Sequence, residues 1–326
     1  MDGSGDRHRP GVSPVPHLAD LWVRVPNWVG DVCMAVPALK ALSACGVRLQ
    51  IVSPRGWVSD LLAGHGWPVT RLPSGLRAAP AALRAAQGPG HGLLLTNSFS
   101  SAWAFRAAGI RALGFRGDGR GLLLARSLPR LPERHEAEVF WHLCAEALSW
   151  LGGSGWPAER PASLGLDLTA THREAAREAL ARAGLNDRPY AVLAPFAAGQ
   201  IRGQDKHWSG FGELEPLLRA QGLATVVCPG PGETPLAHEV VPGATLLPEL
   251  GLGAYAAVCE QARVTVANDS GPMHLACAVN APVVGVFGPS DPARTGPVGT
   301  RACALGGKGI WPTVPAVIAA ALRISV

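Results

Sequence analysis

The chain has 326 residues, which is too long for a typical single domain and fits two domains of ordinary size. Hydrophobic residues make up 48% of it, so both domains can bury a core, and the net charge of +5 favours an anionic partner. Basic residues do not interleave with aromatic residues on any one element, which argues against a nucleic-acid-binding protein.

The cysteines and the N-terminus indicate the cellular compartment. None of the seven cysteines forms a C-x-x-C pair, which argues against a zinc site and indicates reduced core residues of a cytoplasmic protein. Residues 1–17 lack the apolar region of a signal peptide, and we predict a disordered tail there. No stretch of the sequence is long and apolar enough to predict a transmembrane helix.

Strands and helices alternate through the first half. The predicted elements are strand 21–25, helix 31–45, strand 47–52, helix 57–64, strand 92–96, helix 98–108, strand 111–114 and helix 135–151. Such alternation is typical of parallel βαβ units. The sequence therefore predicts a Rossmann-like domain over residues 18–160, ending in a segment rich in glycine and proline.

The same alternation returns in the second half. The predicted elements are helix 171–183, strand 190–194, helix 211–221, strand 224–228, a strand containing Val264 and Val266, a helix just after it, strand 282–287 and helix 315–323. They predict a second Rossmann-like domain over residues 161–326. We expect an α/β protein whose two domains face each other across a cleft that holds two substrates.

A short element in the first half combines a tight turn with a carboxylate. Pro26-Asn-Trp-Val-Gly-Asp31 follows the first predicted strand and precedes a helix. Gly30 permits the turn, and Asp31 at the start of the helix is predicted to be its N-cap, a role worth about 1 kcal/mol.

The most informative polar residues follow the strand that contains Val264 and Val266. Ligands of open α/β sheets bind at the carboxyl ends of strands, where a helix N-terminus offers free N–H groups to an anion. Ser270 and Gly271 let the backbone approach a phosphate, and His274 lies one helical turn further on. Asp269 would repel a phosphate, so we expect it to orient the turn or to accept from a sugar or a base. The alternative is an ordinary helix capped by Asp269 or Ser270.

The sequence of this region resembles that of a known protein family. D-S-G-P-M-H-L-A, followed by A-P-V-V-G-V-F-G-P-S-D-P, is similar to the donor-binding signature of glycosyltransferase family nine, the bacterial ADP-heptose:lipopolysaccharide heptosyltransferases. P-x-W-x-G-D at 26–31 is similar to the same family, and N-S-F-x-S-A at 97–102 to its heptosyltransferase II branch. The resemblance implies a GT-B fold, with an acceptor-binding first domain and a donor-binding second domain.

The resemblance also implies roles for single residues. Asp31 would be the general base, a role compatible with capping a helix. Lys206 matches a lysine that contacts the donor phosphates. The arginine expected beside it is His207 here, and Arg202 is a candidate replacement. Glu233 matches an acidic residue near the donor ribose.

The acceptor side is implied by the N-S-F-x-S-A stretch and the Gly-rich loop after it. Asn97 and Ser98 would bond sugar hydroxyls, while Arg116 and Arg120 would hold phosphates of the acceptor through bidentate contacts. The alternative for both arginines is a mobile surface loop.

The implied reaction is an inverting transfer of heptose, or a similar sugar, from an ADP-sugar to a lipopolysaccharide core precursor. The acceptor is an anionic glycolipid, so the resemblance leaves peripheral contact with the inner membrane open. It implies no obligatory metal, with Mg²⁺ as an optional companion of the donor diphosphate. Alternatives are another donor sugar or glycan acceptor within the family, a sugar-nucleotide 2-epimerase, and a non-catalytic nucleotide-sugar-binding protein.

Overall fold

The computed structural model describes residues 17–86, 90–186, 188–197, 199–201 and 203–325. All but the last residue of the predicted N-terminal tail lies outside this part of the chain. The described residues form two parallel six-stranded sheets and one short antiparallel hairpin. Among the described helices, none has the length and apolar character needed to cross a membrane.

The first sheet belongs to the N-terminal half. Its strands are β1 (Ala19–Arg24), β2 (Val47–Ser53), β3 (Val69–Arg71), β4 (His91–Leu94), β5 (Arg111–Phe115) and β6 (Arg126–Leu128). Its helices are α1 (Val29–Ala44), α2 (Trp57–Leu61), α3 (Ala78–Ala86), α4 (Phe99–Ala107) and α5 (Glu136–Trp150), with 3₁₀ turns at Ala63–His65 and Arg120–Leu123. All the predicted elements of this half are present within a few residues, whereas β3, α3 and β6 were not predicted.

The second sheet belongs to the C-terminal half. Its strands are β7 (Tyr190–Ala194), β10 (Ala224–Val227), β11 (Thr245–Leu246), β12 (Val264–Asn268), β13 (Val283–Phe287) and β14 (Ala302–Gly306), and the hairpin consists of β8 (Gln200–Ile201) and β9 (Gln204–Asp205). The helices are α6 (Ala170–Arg182), α7 (Phe211–Ala220), α8 (Thr234–Val240), α9 (Leu252–Gln261), α10 (Gly271–Ala278), α11 (Pro292–Thr295) and α12 (Val314–Ile324).

The two sheets have the same topology. Their strand orders are β3-β2-β1-β4-β5-β6 and β11-β10-β7-β12-β13-β14. Both orders follow the Rossmann pattern, in which the winding reverses beside the first strand and leaves a crevice at the carboxyl ends of the two central strands. The crevices therefore lie beyond β1 and β4 in one sheet, and beyond β7 and β12 in the other.

Helix α1 connects the two halves. Its sequence, VGDVCMAVPALKALSA, is apolar on nearly every side, and a helix of this kind is stable only when it is covered all round. It packs against α5 of its own domain and against α10 of the other. The buried side chains of Leu164, Leu166 and Leu168, in the segment between the domains, join the same apolar cluster. One continuous core therefore runs from the first sheet to the second.

Candidate active site

A cavity of about 1050 Å³ opens between the domains, at the crevices of both sheets. The first domain contributes the turn after β1 and the first two turns of α1. The second domain contributes the segments that follow β7, β10, β12, β13 and β14. Side chains from both domains line it, among them Trp28, Asp31, Met34, Lys206, Glu233, Tyr255, Asp269, Ser270, His274, Arg294 and Lys308.

The N-termini of α1 and α10 meet at the bottom of this cavity. A Cβ atom added to Gly30 would lie 2.5 Å from Cδ2 of His274, and one added to Gly271 would lie 3.1 Å from Cβ of Val29. A side chain at position 30 would therefore clash with the His274 ring, and one at position 271 would press on Val29. Because Asp31 follows Gly30 and Ser270 precedes Gly271, the contact brings the two predicted motifs to one cavity.

Asp31 is the third residue of α1, whose N-cap is Trp28. The prediction that Asp31 caps the helix is therefore wrong, because the helix begins earlier than predicted. Its half-buried carboxylate has a pKa raised to about 6, chiefly by burial and then by the negative charge of Glu136, while Arg130 acts in the opposite direction. A carboxyl group with this pKa is ionised at neutral pH and is a stronger base than an ordinary aspartate.

Lys206 directly follows the β8–β9 hairpin, which forms the extended part of the loop after β7. Its Nζ lies 3.2 Å from Oδ2 of Asp269, and both side chains are largely buried. Asp269 thus holds the ammonium group at the cavity wall. The sequence did not predict this ion pair.

Ser270 is the N-cap of α10 in extended conformation, yet its side chain makes no capping hydrogen bond. Its hydroxyl oxygen is buried and has no hydrogen-bond partner among the described residues. The first N–H groups of any helix lack an intrahelical acceptor. The Ser270–Gly271 turn therefore presents unpaired donors beside Lys206, which is the arrangement that favours a phosphate.

His274 is buried in the first turn of α10, on the cavity wall. Burial lowers the pKa of its imidazole, an effect opposed by the charge of Asp269, so the ring is neutral at physiological pH. Its Nδ1 has no hydrogen-bond partner in the described part of the chain. The ring packs on Gly30 and can still offer one nitrogen to a ligand.

Asn268 is a structural residue of the site that sequence reasoning missed. Its Oδ1 accepts from the backbone N–H of Trp208 at 3.1 Å, and its Nδ2 donates to the carbonyl of Pro195 at 2.6 Å. The fully buried amide thus ties the end of β12 to the loop that carries Lys206. Its position, as an amide at the carboxyl end of a buried strand, could have indicated this role from the sequence.

Glu233 lines the cavity at the end of the turn after β10. Its Oε2 accepts from the backbone N–H of Gly230 at 2.8 Å, which closes the turn. The carboxylate therefore has a structural role in addition to the predicted ribose contact.

His207 lies outside the residues that line the cavity. Its Nε2 accepts from the N–H of Ala197 at 3.1 Å, and its Nδ1 is hydrogen-bonded to Asp205. Both ring nitrogens are thus engaged within the loop, so His207 holds the loop and does not reach the cavity. Arg202, the other predicted replacement, lies outside the described residues.

The predicted acceptor residues lie at the same edge of the first sheet as Asp31, but none lines the cavity. Asn97 and Ser98 are exposed after β4, and Oγ of Ser98 accepts from the N–H of Ser101 at 3.3 Å as the cap of α4. Arg116 is exposed after β5.

Arg120 is not the loop arginine that was predicted. It is only 1% exposed, and its Nη1 donates to the carbonyl oxygen of Thr96 at 2.7 Å. Gly119 has a left-handed conformation that turns the chain back over the sheet, where Gly114 leaves space for the guanidinium. Arg120 therefore supports the end of β4, and the prediction that it lies in an open loop is wrong.

Two cations at the cavity were not predicted. Arg294 belongs to α11 and pairs with Glu136 at the start of α5, across the domain boundary. Its Nε is buried without a partner among the described residues. Lys308 lies 3.4 Å from Asp291 and is mostly exposed. Arg294 follows β13 and lies two residues after the end of the donor-binding signature, and Lys308 follows β14.

Two facing Rossmann-like domains that share one cavity, with a carboxylate on one and the N-terminus of a helix on the other, are typical of α/β enzymes with a GT-B fold. The profile of glycosyltransferase family 9 (heptosyltransferase) matches residues 87–315, and the chain belongs to this family. The predicted fold and family are therefore confirmed, and the protein is a glycosyltransferase.

Individual relatives agree with this assignment. Lipooligosaccharide heptosyltransferase 2 of Haemophilus influenzae is 24% identical over 308 residues, with 85% of each chain covered. A family 9 glycosyltransferase from Veillonella parvula has a TM-score of 0.80 at 18% identity, covering 96% of this chain and 98% of its own. ADP-heptose lipopolysaccharide heptosyltransferase II of E. coli has a TM-score of 0.75 at 23% identity, covering 94% and 98%.

A UDP-GlcNAc 2-epimerase from Methanocaldococcus jannaschii is a more distant likeness, with a TM-score of 0.50 at 11% identity over 92% of this chain and 90% of its own. The epimerase alternative thus shares the general architecture but is the weaker likeness. In the described part of the chain, no group of three or more His, Cys, Asp or Glu side chains is placed to hold a metal ion.

Proposed function

We propose that the protein transfers heptose from ADP-heptose to a lipopolysaccharide core precursor, with inversion at the anomeric carbon. The relatives from H. influenzae and E. coli are named as heptosyltransferases of lipooligosaccharide or lipopolysaccharide, which supports the choice of sugar and acceptor. The observation that carries the proposal is a single cavity shared by Asp31 of the first domain and by Lys206 and Ser270 of the second.

The donor binds with its diphosphate at the Ser270–Gly271 turn and beside Lys206, and with its ribose near Glu233. Asp31 takes the proton from the acceptor hydroxyl, and the oxygen attacks the anomeric carbon from the face opposite the diphosphate. The bond from that carbon to the diphosphate oxygen breaks, and ADP leaves. Its growing negative charge is stabilised by Lys206 and by the N–H groups of α10.

Arg294 is the second cation of the proposed donor site. It lines the cavity, whereas His207 does not, and one of its donors, Nε, has no partner among the described residues. Its ion pair with Glu136 positions the guanidinium at the domain boundary, where the diphosphate of the donor would bind.

Because protein cations take this charge, we expect transfer to continue in EDTA, with Mg²⁺ as no more than a companion of the diphosphate. The acceptor extends from Asp31 toward Asn97, Ser98 and Arg116, at the same sheet edge. A glycolipid acceptor also implies a cytoplasmic enzyme that contacts the inner membrane peripherally.

The test combines a donor screen with a transfer assay. We expect ADP and ADP-heptose to raise the melting temperature, UDP-sugars to leave it unchanged, and heptose to appear on heptose-deficient lipopolysaccharide. Asp31→Ala should abolish transfer while donor affinity is retained, and Asp118→Asn, at an exposed carboxylate, serves as the control. Selective stabilisation by UDP-sugars, or conversion of the donor sugar without any acceptor, would refute the proposal.

A further inference from the structure

Positive charge is concentrated in one segment of the first domain. Residues 61–132 contain nine arginines and a single acidic residue, Asp118, whereas the rest of the chain has 20 basic and 23 acidic residues. This segment therefore accounts for all of the net positive charge. Its exposed arginines Arg77 and Arg106 form no ion pair with a described residue, unlike Arg126 at the end of the segment, which pairs with Glu146.

Large apolar side chains are exposed in the same segment. Leu122 is 92% exposed, Leu76 63%, Phe99 50% and Trp103 39%. Phe99 and Trp103 lie one turn apart on the same face of α4. Nε1 of Trp103 donates to the carbonyl oxygen of Leu76 at 3.1 Å, and the 3₁₀ turn that carries Leu122 packs against α4. The four side chains thus form one neighbourhood.

The position of these residues relates them to the active site. Leu76 follows β3, Phe99 follows β4 and Leu122 follows β5, so all three lie beyond carboxyl ends of strands. Asp31 follows β1 and lies at the same edge of the same sheet. These apolar side chains therefore lie at the same sheet edge as Asp31, and Arg106 extends the surface along α4, in whose last turn it lies.

We propose that this surface, formed by Leu76, Phe99, Trp103, Leu122, Arg77 and Arg106 and here called the docking edge, binds an anionic phospholipid bilayer. The inference rests on the proposed function, because a glycolipid acceptor is anchored in a membrane by its acyl chains. Aromatic and leucine side chains enter the boundary between headgroups and acyl chains, and arginines are attracted to anionic headgroups. With the docking edge on the bilayer, the Asp31 side of the cavity faces the headgroups.

Charge favours a bilayer over a second copy of the chain. In a symmetric dimer the same patch meets itself, so the arginines of two docking edges would face one another and repel. Single exposed apolar residues are ordinary on protein surfaces, as with Leu217 and Leu236 in the second domain. Four in one neighbourhood, flanked by unpaired arginines, match the composition of an interfacial membrane surface.

Flotation of the full-length protein with vesicles tests the proposal. We expect binding to vesicles of phosphatidylcholine with phosphatidylglycerol, weakening with salt, and little binding to phosphatidylcholine alone. Leu76→Ser with Leu122→Ser should lower the partition coefficient by roughly tenfold or more. Arg77→Gln with Arg106→Gln should lower it by about fivefold per arginine.

The matched control is Leu217→Ser with Leu236→Ser, which removes two exposed leucines from the second domain and should leave binding unchanged. The proposal is overturned if the wild type does not float with anionic vesicles, or if the control pair lowers binding as much as the docking-edge pair. It is also overturned if sedimentation shows a wild-type dimer that the docking-edge pair dissociates.

Two forms of the acceptor separate this inference from the proposed function. The docking-edge variants should lose kcat/KM for acceptor embedded in anionic vesicles and keep it for the same acceptor after its acyl chains are removed. Equal losses on both forms would overturn the docking role. If the wild type binds anionic vesicles but transfers no sugar to either form, the proposed function fails while the docking edge stands.

Discussion

Replacing Asp31 with asparagine should inactivate the enzyme and stabilise it, with a stabilisation that depends on pH. The pKa of the carboxyl rises from 3.8 to about 6, mainly because burial penalises the charged form. A shift of two units corresponds to about 3 kcal/mol. Because the side chain is half-buried, solvent screens part of this penalty, and we expect about 1–2 kcal/mol in measurement.

The sign follows from proton linkage. Below about pH 4 the carboxyl is protonated in both the folded and the unfolded chain, so its burial as a charge does not lower the free energy of unfolding. Between about pH 4 and pH 6 the unfolded chain ionises first, and the folded state loses stability as pH rises. Above about pH 6 the full cost is present. Asparagine has no such cost at any pH, so Asp31→Asn gains stability at pH 8 and not at pH 4.

Thermal unfolding at a series of pH values measures this difference. A gain of about 1–2 kcal/mol corresponds to roughly 1.5–3 °C in a chain of this size. The wild-type kcat/KM should rise with pH up to about 6 and then level off, and the variant should be about 10²–10⁴-fold slower. An equal change in melting temperature at pH 4 and pH 8, or none at pH 8, would show that the surroundings of Asp31 do not destabilise its ionised form.

Further substitutions test the donor side and the contact between the domains. Lys206→Ala should raise the Kd for ADP by about 10–100-fold in calorimetry, because it removes a charged contact, and an unchanged Kd would exclude the phosphate role. Gly30→Ala should reduce activity and cost about 1–3 kcal/mol of stability, because its methyl group would meet His274, whereas Gly56→Ala has no atom closer than 3.7 Å and should be tolerated in the same melting assay. Arg294→Gln should weaken ADP binding several-fold more than it weakens adenosine binding, and equal losses would make it a structural residue only.

Local sequence patterns were sufficient for the parts of the fold that lie close together in the chain. Strand β7 was predicted with its observed bounds, and the Ser270 turn was found because strand, turn and helix are contiguous there. Strands β3, of three residues, and β11, of two, lie at sheet edges and are too short to show an alternation of apolar and polar residues. They form because a neighbouring strand offers them hydrogen bonds.

The errors at the site have a common physical origin. Arg120 was placed in an open loop because its neighbours are glycines, but whether such a segment extends into solvent or folds back is decided by the space beside Gly114. Arg294 was missed because its relation to Glu136 crosses the domain boundary. A linear sequence carries little information on such contacts, since they depend on how the two domains pack.

The packing of the domains also restricts how the enzyme can close over its donor. The core shared through α1 and α10 is apolar and continuous, so separating the domains would expose it to water. The hairpin after β7 lies outside this core, since its two strands as described pair with each other and with no strand of either six-stranded sheet. We therefore expect closure to come from the hairpin and not from rotation of the domains. Hydrogen exchange with and without ADP should show protection gained at residues 199–201 and 203–206 and unchanged slow exchange in the first turns of α1. Fast exchange at α1 that ADP suppresses would instead indicate domains that open as rigid bodies.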